Sequence, residues 1–268
     1  MQPEAPKPAH LTQMYGEQFR DPSVVLAYGY RPPYPGEVFD LLVGLVVGGA
    51  QAAVLEVGAG RGEVARELVG RVARVDAVEP SAAMVAAGRA LPGGDHPDLR
   101  WIEAMAEDAP LDPPYGLVVA AASLHWMEWT VVLPRFRAAL VPGGLLAIVG
   151  VSEGPYPWSG AVQGAIDRYS TNRDFRPYDV VAELEGRGLF RTLGRRETAP
   201  VPLERTVADY IESFHGRNGF SRDRMTPADV AAFDAEVTAL VAANVPDGVV
   251  RSGIVGTVLW GLPAPSLE

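Results

Sequence analysis

Residues 53–62 read Ala53-Val54-Leu55-Glu56-Val57-Gly58-Ala59-Gly60-Arg61-Gly62. A short, mostly apolar run closing on glycines is the pattern of a buried parallel strand that ends in a tight turn. A helical pattern follows over 62–69, so the glycines fall between a strand and a helix, where open α/β sheets hold nucleotide-like ligands. Glycine lets the backbone turn sharply and lets a ligand touch it without meeting a Cβ. The spacing decides which ligand. A dinucleotide fingerprint is G-x-G-x-x-G, but Glu63 stands at its third glycine and the loop reads G-x-G-x-G, preceded by Glu56. A carboxylate beside the loop disfavours a pyrophosphate and suits a cationic amino or sulfonium group. Seventeen residues after Gly62, Glu79 ends a second apolar run, where an acid accepts both hydroxyls of a ribose. Ribose and a cation without pyrophosphate describe S-adenosylmethionine better than NAD.

Strand and helix patterns alternate outward from this point. Pro80-Ser81 opens a helix to about residue 90, with Ser81 as N-cap. Strands are expected over 99–103, 117–122 and 145–151, with a helix over 130–140 stopped by Pro142-Gly143-Gly144. A helix over 179–186, a strand over 189–196 and a β-branched last strand over 249–260, pairing back antiparallel, complete the order. The fold class is α/β: a doubly wound, Rossmann-like, mostly parallel seven-stranded sheet. Helical segments over 206–214 and 227–243 flank the polar loop 215–226 and read as a cap inserted into that domain. The expected organisation is an N-terminal helical arm (1–50), a cofactor-binding domain (51–199 and 248–268) and a helical cap (200–247).

Composition limits the function classes. The chain has 268 residues, 48% of them apolar, a formal charge of −10 and no cysteine. That is ample for a packed core and excludes disulfides, thiolate zinc sites and cysteine nucleophiles. Net acidity argues against a nucleic-acid partner. No 18-residue apolar run exists and the first ten residues lack an apolar signal core, so a cytoplasmic protein with no membrane contact is expected. Every basic residue except Lys7 is arginine, the mark of a coding bias, so arginines carry meaning by place and not by number.

At these residues the chain resembles the class I S-adenosylmethionine-dependent methyltransferases, in their small-molecule, type 11-like branch. The stretch 54–62 is similar to that family's first motif, and Val78-Glu79-Pro80-Ser81 with Met84 to its ribose motif. Ala106-Glu107-Asp108-Ala109-Pro110-Leu111 resembles the adenine loop, and Leu140-Val141-Pro142-Gly143-Gly144 the turn before strand five. The resemblance covers about 24–151. It implies that Glu56 and the backbone of Gly58, Ala59, Gly60 and Gly62 hold the methionine portion. Glu79, with Pro80, would take the ribose, and Met84 would pack on the adenine. Met105 departs from the family, which often has Asp there, leaving the Ala106 N–H and Glu107 at the adenine. Ser123 would line the cofactor near its sulfur. Arg31, within Tyr30-Arg31-Pro32-Pro33-Tyr34-Pro35, resembles a recurrent Arg-Pro segment that reaches the methionine carboxylate.

Methyl transfer from a sulfonium is an in-line displacement, so alignment and exclusion of water matter most, and no metal is called for. Ser123-Leu124-His125-Trp126 follows the fourth strand, which makes His125 the best-placed base for an acceptor that arrives protonated. His10 and His96 are expected in solvated loops; His215 either faces substrate or ends a helix. Aromatics gather in the covering segments (Tyr15, Phe19, Trp126, Trp129, Tyr156, Trp158, Phe214, Phe220), which favours an apolar or aromatic small-molecule acceptor. Two other readings stand beside methyl transfer: a protein of this fold that binds the cofactor without transferring methyl, and a nicotinamide-dependent oxidoreductase.

Overall fold

The computed structural model describes residues 7–264; the expectations for 1–6 of the arm and for 265–268 lie outside the described residues. Three helices come first: α1 (Gln13–Gly16), α2 (Pro22–Ala27) and α3 (Gly36–Leu45). The central units are β1 (Ala53–Val57), α4 (Ala65–Leu68), β2 (Arg74–Val78), α5 (Ala82–Arg89), β3 (Leu99–Ile102), β4 (Tyr115–Ala121), α6 (Trp129–Ala139) and β5 (Leu140–Glu153). There follow α7 (Ser159–Tyr169), α8 (Val180–Gly186), β6 (Phe190–Glu197), β7 (Val201–Thr206), α9 (Val207–His215), α10 (Pro227–Ala242) and β8 (Val249–Pro263).

The sheet runs β3-β2-β1-β4-β5-β8-β6, with β7 also paired to β8. β1 to β5 pair in parallel and β8 runs antiparallel to β5. β6 pairs with residues 257–263 of β8 and β7 with residues 249–254, both antiparallel. The two therefore lie end to end on one flank and fill a single position, so the sheet has the seven positions expected. Between them Pro200 lacks an N–H to give to a ladder, and Thr198 holds the join through two bonds to Gly256.

Side chains alternate across the strands as a two-sided parallel sheet requires. Leu55, Val57, Val118 and Ala120 face α6 and α8, whereas Val54, Leu117 and Val119 face α3 and α4. The alternation puts Glu56 on the α4 side, which matters below. A third core, centred on Phe233, joins α7, α9 and α10 above the sheet. Thr206 and Thr226 cap α9 and α10, each accepting from the amide of the Asp three residues on.

The structure departs from the sequence expectations in three places. The helix expected over 62–69 is only α4, because Gly62 takes φ +74° and the chain turns through 58–64. The expected helical insert begins as a strand, β7, at an edge where Pro202 is tolerated. Helix α7 was not foreseen: Gly160, Gly164 and several polar residues hide the apolar pair Val162 and Ala165 that packs into the third core.

Candidate active site

The carboxyl ends of β1, β2 and β4 meet at the glycine loop. Gly58 and Gly60 have φ of +65° and +58°. A Cβ on Gly58 would lie 2.5 Å from Ser123 Cβ, so the bare backbone there is a steric necessity. The Gly60 amide donates to Glu79 Oε2 at 2.8 Å and the Ser81 amide to Oε1 at 2.9 Å. Each carboxylate oxygen keeps one lone pair. Burial pushes the Glu79 carboxyl up to about 7, against the pull of those two amides and of Arg20.

Glu56 is placed differently from Glu79. On the opposite face of β1 it is fully buried and accepts from the Ala65 amide at 2.7 Å, at the start of α4. Burial holds its carboxyl well above the usual range. The first amide of this four-residue helix is thus already occupied, and no free helix N-terminus remains for a pyrophosphate. Glu63, where a dinucleotide loop has glycine, pairs with Arg61 at 2.9 Å.

Three hollows converge here. A narrow cleft of about 100 Å³ is walled by Gly58, Gly60, Glu79, Pro80, Met84, Met105, Ala106, Glu107 and Ser123, with Arg31 at its end. Phe19, Arg20, Tyr28 and Trp126, which no motif pointed to as cofactor neighbours, close it. Behind Tyr28 a second hollow of about 220 Å³ contains Glu56, Ala59 and Arg31. The Tyr28 ring lies between two guanidinium groups, Arg31 at 4.8 Å and Arg61 at 5.6 Å. Gly62 lines none of these three hollows; its missing Cβ leaves room for Trp101, which would otherwise be 2.8 Å away. At the far end of the cleft Glu107 accepts from the Glu128 amide through Oε1 (2.7 Å), while its buried Oε2 has no partner. Ser123 lines the cleft but its hydroxyl donates to the Val57 carbonyl at 2.6 Å.

A larger chamber of about 580 Å³ adjoins the cleft, sharing Phe19, Arg31, Ala122 and Trp126 with it. Ala122 adopts φ +50°, a conformation rare for any side chain but glycine, at the point where the two spaces meet. His125 faces the chamber. Burial, followed by the nearby cations Lys7 and Arg31, drives its imidazole down to about 3. His10 is not solvated as expected: it is buried, with its ring against Phe175 and Tyr178, and lines the same chamber. His215 ends α9 and is spoken for on both nitrogens, by the Phe220 carbonyl (2.9 Å) and Asp234 (2.8 Å).

The aromatic lid is only partly as expected. Phe19, Trp126, Phe214 and Phe220 line the chamber, but Trp129 is buried in the α6 core and Tyr156 and Trp158 stack in the third core. The chamber also contains Arg31, Arg173, Arg176 and Arg217 against one acid, Asp167. Of these, the sequence pointed only to Arg31; Arg173, Arg176 and Arg217 carry no signal there, because the coding bias empties arginine itself of meaning. Among the described residues no group of three metal-ligating side chains exists, and no helix is long and apolar enough to cross a membrane.

Residues 54–144 match the family described as methyltransferase domain. Over 120 residues the chain is 34% identical to uncharacterised methyltransferases of Mycobacterium bovis and Mycobacterium tuberculosis. That alignment covers 44% of this chain and 46% of theirs, so the chain spans about half the length of the curated relatives it matches. A solved candidate type II methyltransferase from Anaeromyxobacter dehalogenans is similar at 24% identity and TM-score 0.57, covering 87% of this chain and 99% of that one. Haemonchus contortus phosphoethanolamine N-methyltransferase 2, solved with phosphomonomethylethanolamine and S-adenosylhomocysteine, is similar at 13% identity and TM-score 0.53, covering 93% and 59%. At these identities the likeness is one of fold.

Proposed function

We propose that the chain, whose residues 54–144 match the methyltransferase-domain family, is a class I methyltransferase that transfers a methyl group from S-adenosylmethionine to a small-molecule acceptor. The observation that carries this reading is Glu79: a buried carboxylate at the end of β2, in the cleft, with a lone pair free on each oxygen. Such a group suits the two adjacent hydroxyls of a ribose. The glycine cradle and the unpartnered Glu107 Oε2 fit the same ligand, one beside the ribose and the other as acceptor for an adenine amino group. In this assignment Pro80, Met84, Met105 and Ala106 pack around the base. Glu56, Gly58, Ala59 and Gly60 border the methionine portion in the hollow behind Tyr28, and Arg31 takes its carboxylate. Gly62 supports the loop by packing and holds nothing.

When bound, the cofactor supplies a sulfonium methyl open to in-line displacement. The protein's own work is alignment and exclusion of water. Ala122 lies where cleft and chamber meet, with Ser123 beside it on the cleft side, and Phe19 and Trp126 line both spaces. Burial that drives the His125 imidazole down to about 3 argues against it as the base that strips a hydroxyl or ammonium. We therefore assign it to orienting the acceptor by hydrogen bonding, and the proton of a protonated nucleophile leaves to solvent.

Titration calorimetry with S-adenosylhomocysteine and with NAD tests the cofactor assignment. Micromolar binding of the first and none of the second is expected; the reverse sinks the reading. Release of S-adenosylhomocysteine from S-adenosylmethionine over a panel of phenols, amines and carboxylic acids tests transfer itself, and an inert panel with tight cofactor binding points to a binder that does not transfer.

A further inference from the structure

The chamber beside the cleft is aromatic, but its charge is not that of an apolar pocket. Asp167 is the one acid in its wall, and its Oδ1 already accepts from Gln163 at 2.8 Å. Arg173 and Arg176, in the segment after α7, spend hydrogen bonds only on backbone carbonyls, Arg173 on those of 167 and 168 and Arg176 chiefly on that of Phe175. Among the described residues neither has a carboxylate within ion-pair distance. Arg217, after α9, stands over the Phe214 ring at 4.6 Å and reaches Glu153 at 3.3 Å. That carboxylate is shared: Arg205 and the Tyr156 hydroxyl hold its other oxygen. One acid thus faces two guanidinium groups, with Arg31 close enough to disfavour the Arg217 cation further. Arg217 holds its charge in a half-buried position, which is costly unless an anion joins it, and the exposed Arg173 and Arg176 add two unpaired cations to the same wall.

We infer that the acceptor carries an anionic group, carboxylate or phosphate, and that Arg217, Arg173 and Arg176 receive it on the cap side of the chamber. This names the substrate class of the methyltransferase reading and rests on it. Guanidinium forks bind such oxyanions through paired N–H donors. Two buried side-chain atoms of wall residues, His10 Nε2 and Asn172 Oδ1, also lack hydrogen-bond partners among the described residues. Phe175, Tyr178, Phe214 and Phe220 give a flat body its walls. Coding bias explains why the chain is rich in arginine; it does not explain why three from two separate segments face one cavity in a chain of net charge −10.

The test uses matched probes: 4-hydroxybenzoate against 4-hydroxybenzamide, cinnamate against cinnamamide, and phenyl phosphate to separate phosphate from carboxylate. Affinities are measured by calorimetry on the full chain, with and without saturating S-adenosylhomocysteine. The acids should bind at least about tenfold tighter than their amides, the range expected for a charge-assisted contact. An Arg173→Ala/Arg176→Ala double variant, changed only at exposed side chains, should lose most of that preference while S-adenosylhomocysteine affinity stays the same. Arg217→Lys should weaken acid binding and leave amide binding unaltered. Equal affinity for acids and amides, or an acid preference that survives both variants, overturns the inference. Failure of S-adenosylhomocysteine to bind would instead count against the methyltransferase reading, since the acid-to-amide ratio is read without it as well.

Discussion

Glu79 makes cofactor affinity depend on pH in a way an ordinary carboxylate does not. Its carboxyl titrates at about 7 because burial outweighs the two amides that favour the charge. Only the ionised form offers a free lone pair on each oxygen to two ribose hydroxyls. At pH 8.5 nearly all of it is ionised, and at pH 5.5 roughly one part in 30. The dissociation constant for S-adenosylhomocysteine should therefore weaken about 30-fold between those values. A carboxyl titrating at its usual 4.5 would change it by about a tenth. The sign for folding is opposite. The folded carboxyl holds its proton more tightly than the unfolded one, so its charge is a burden above pH 7 that lifts as pH falls towards 4.5. Weaker binding at pH 5.5 thus does not follow from Glu79 loosening the fold, and a near-ultraviolet dichroism spectrum at each pH checks this. Glu79→Gln should bind about 10- to 100-fold more weakly at pH 8.5 and lose the pH dependence. A wild-type dissociation constant that is flat over this range refutes the assignment of Glu79 to the ribose.

Gly58→Ala should abolish cofactor binding and lower the melting temperature, because φ of +65° and a Cβ 2.5 Å from Ser123 leave no relaxed conformation; full binding in calorimetry would contradict that. His125→Gln should reduce kcat less than about tenfold and leave the pH profile of kcat/KM unchanged between 6 and 9. Loss of an inflection in that range would restore His125 as a base. Phe233→Ala, at the centre of the third core with ring neighbours Phe220 at 4.7 Å and Phe214 at 5.6 Å, should cost about 3–5 kcal/mol in chemical denaturation.

The parallel sheet was legible because its strands are buried on both faces and read as continuous apolar runs cut by glycine. The cleft was legible for a related reason: a loop that must turn sharply and admit a ligand needs glycines at fixed places. Glu56 shows where pattern reading stops. It lies two residues before Gly58, as the motif has it, yet the alternation of side chains along β1 sends it beneath α4. The chamber was the least legible part. Its walls come from 10–31, 122–126, 166–180 and 214–220, segments joined only by tertiary packing and without a period or spacing of their own. Arg173, Arg176 and Arg217 gain significance only from facing the same space.

β8 binds β6 with one half and β7 with the other, and this governs how molecules come and go. The cap departs from the sheet through β7 and returns through β8, and those two strands are laddered to each other from Val201–Ile254 to Thr206–Val249. A roof held at both roots by one ribbon cannot swing on a linker, since any tilt must shear that ladder. The arm is fastened to that roof in turn, by Gln18 to Gly219, Tyr15 to Asn218 and Asp21 to Arg224, whereas the stretch from Ser170 to Tyr178 has no strand to hold it. Those two pieces meet where His10 packs edge-on against Phe175 and Tyr178, and where Tyr15 donates to Asp174 at 2.6 Å on the exposed side.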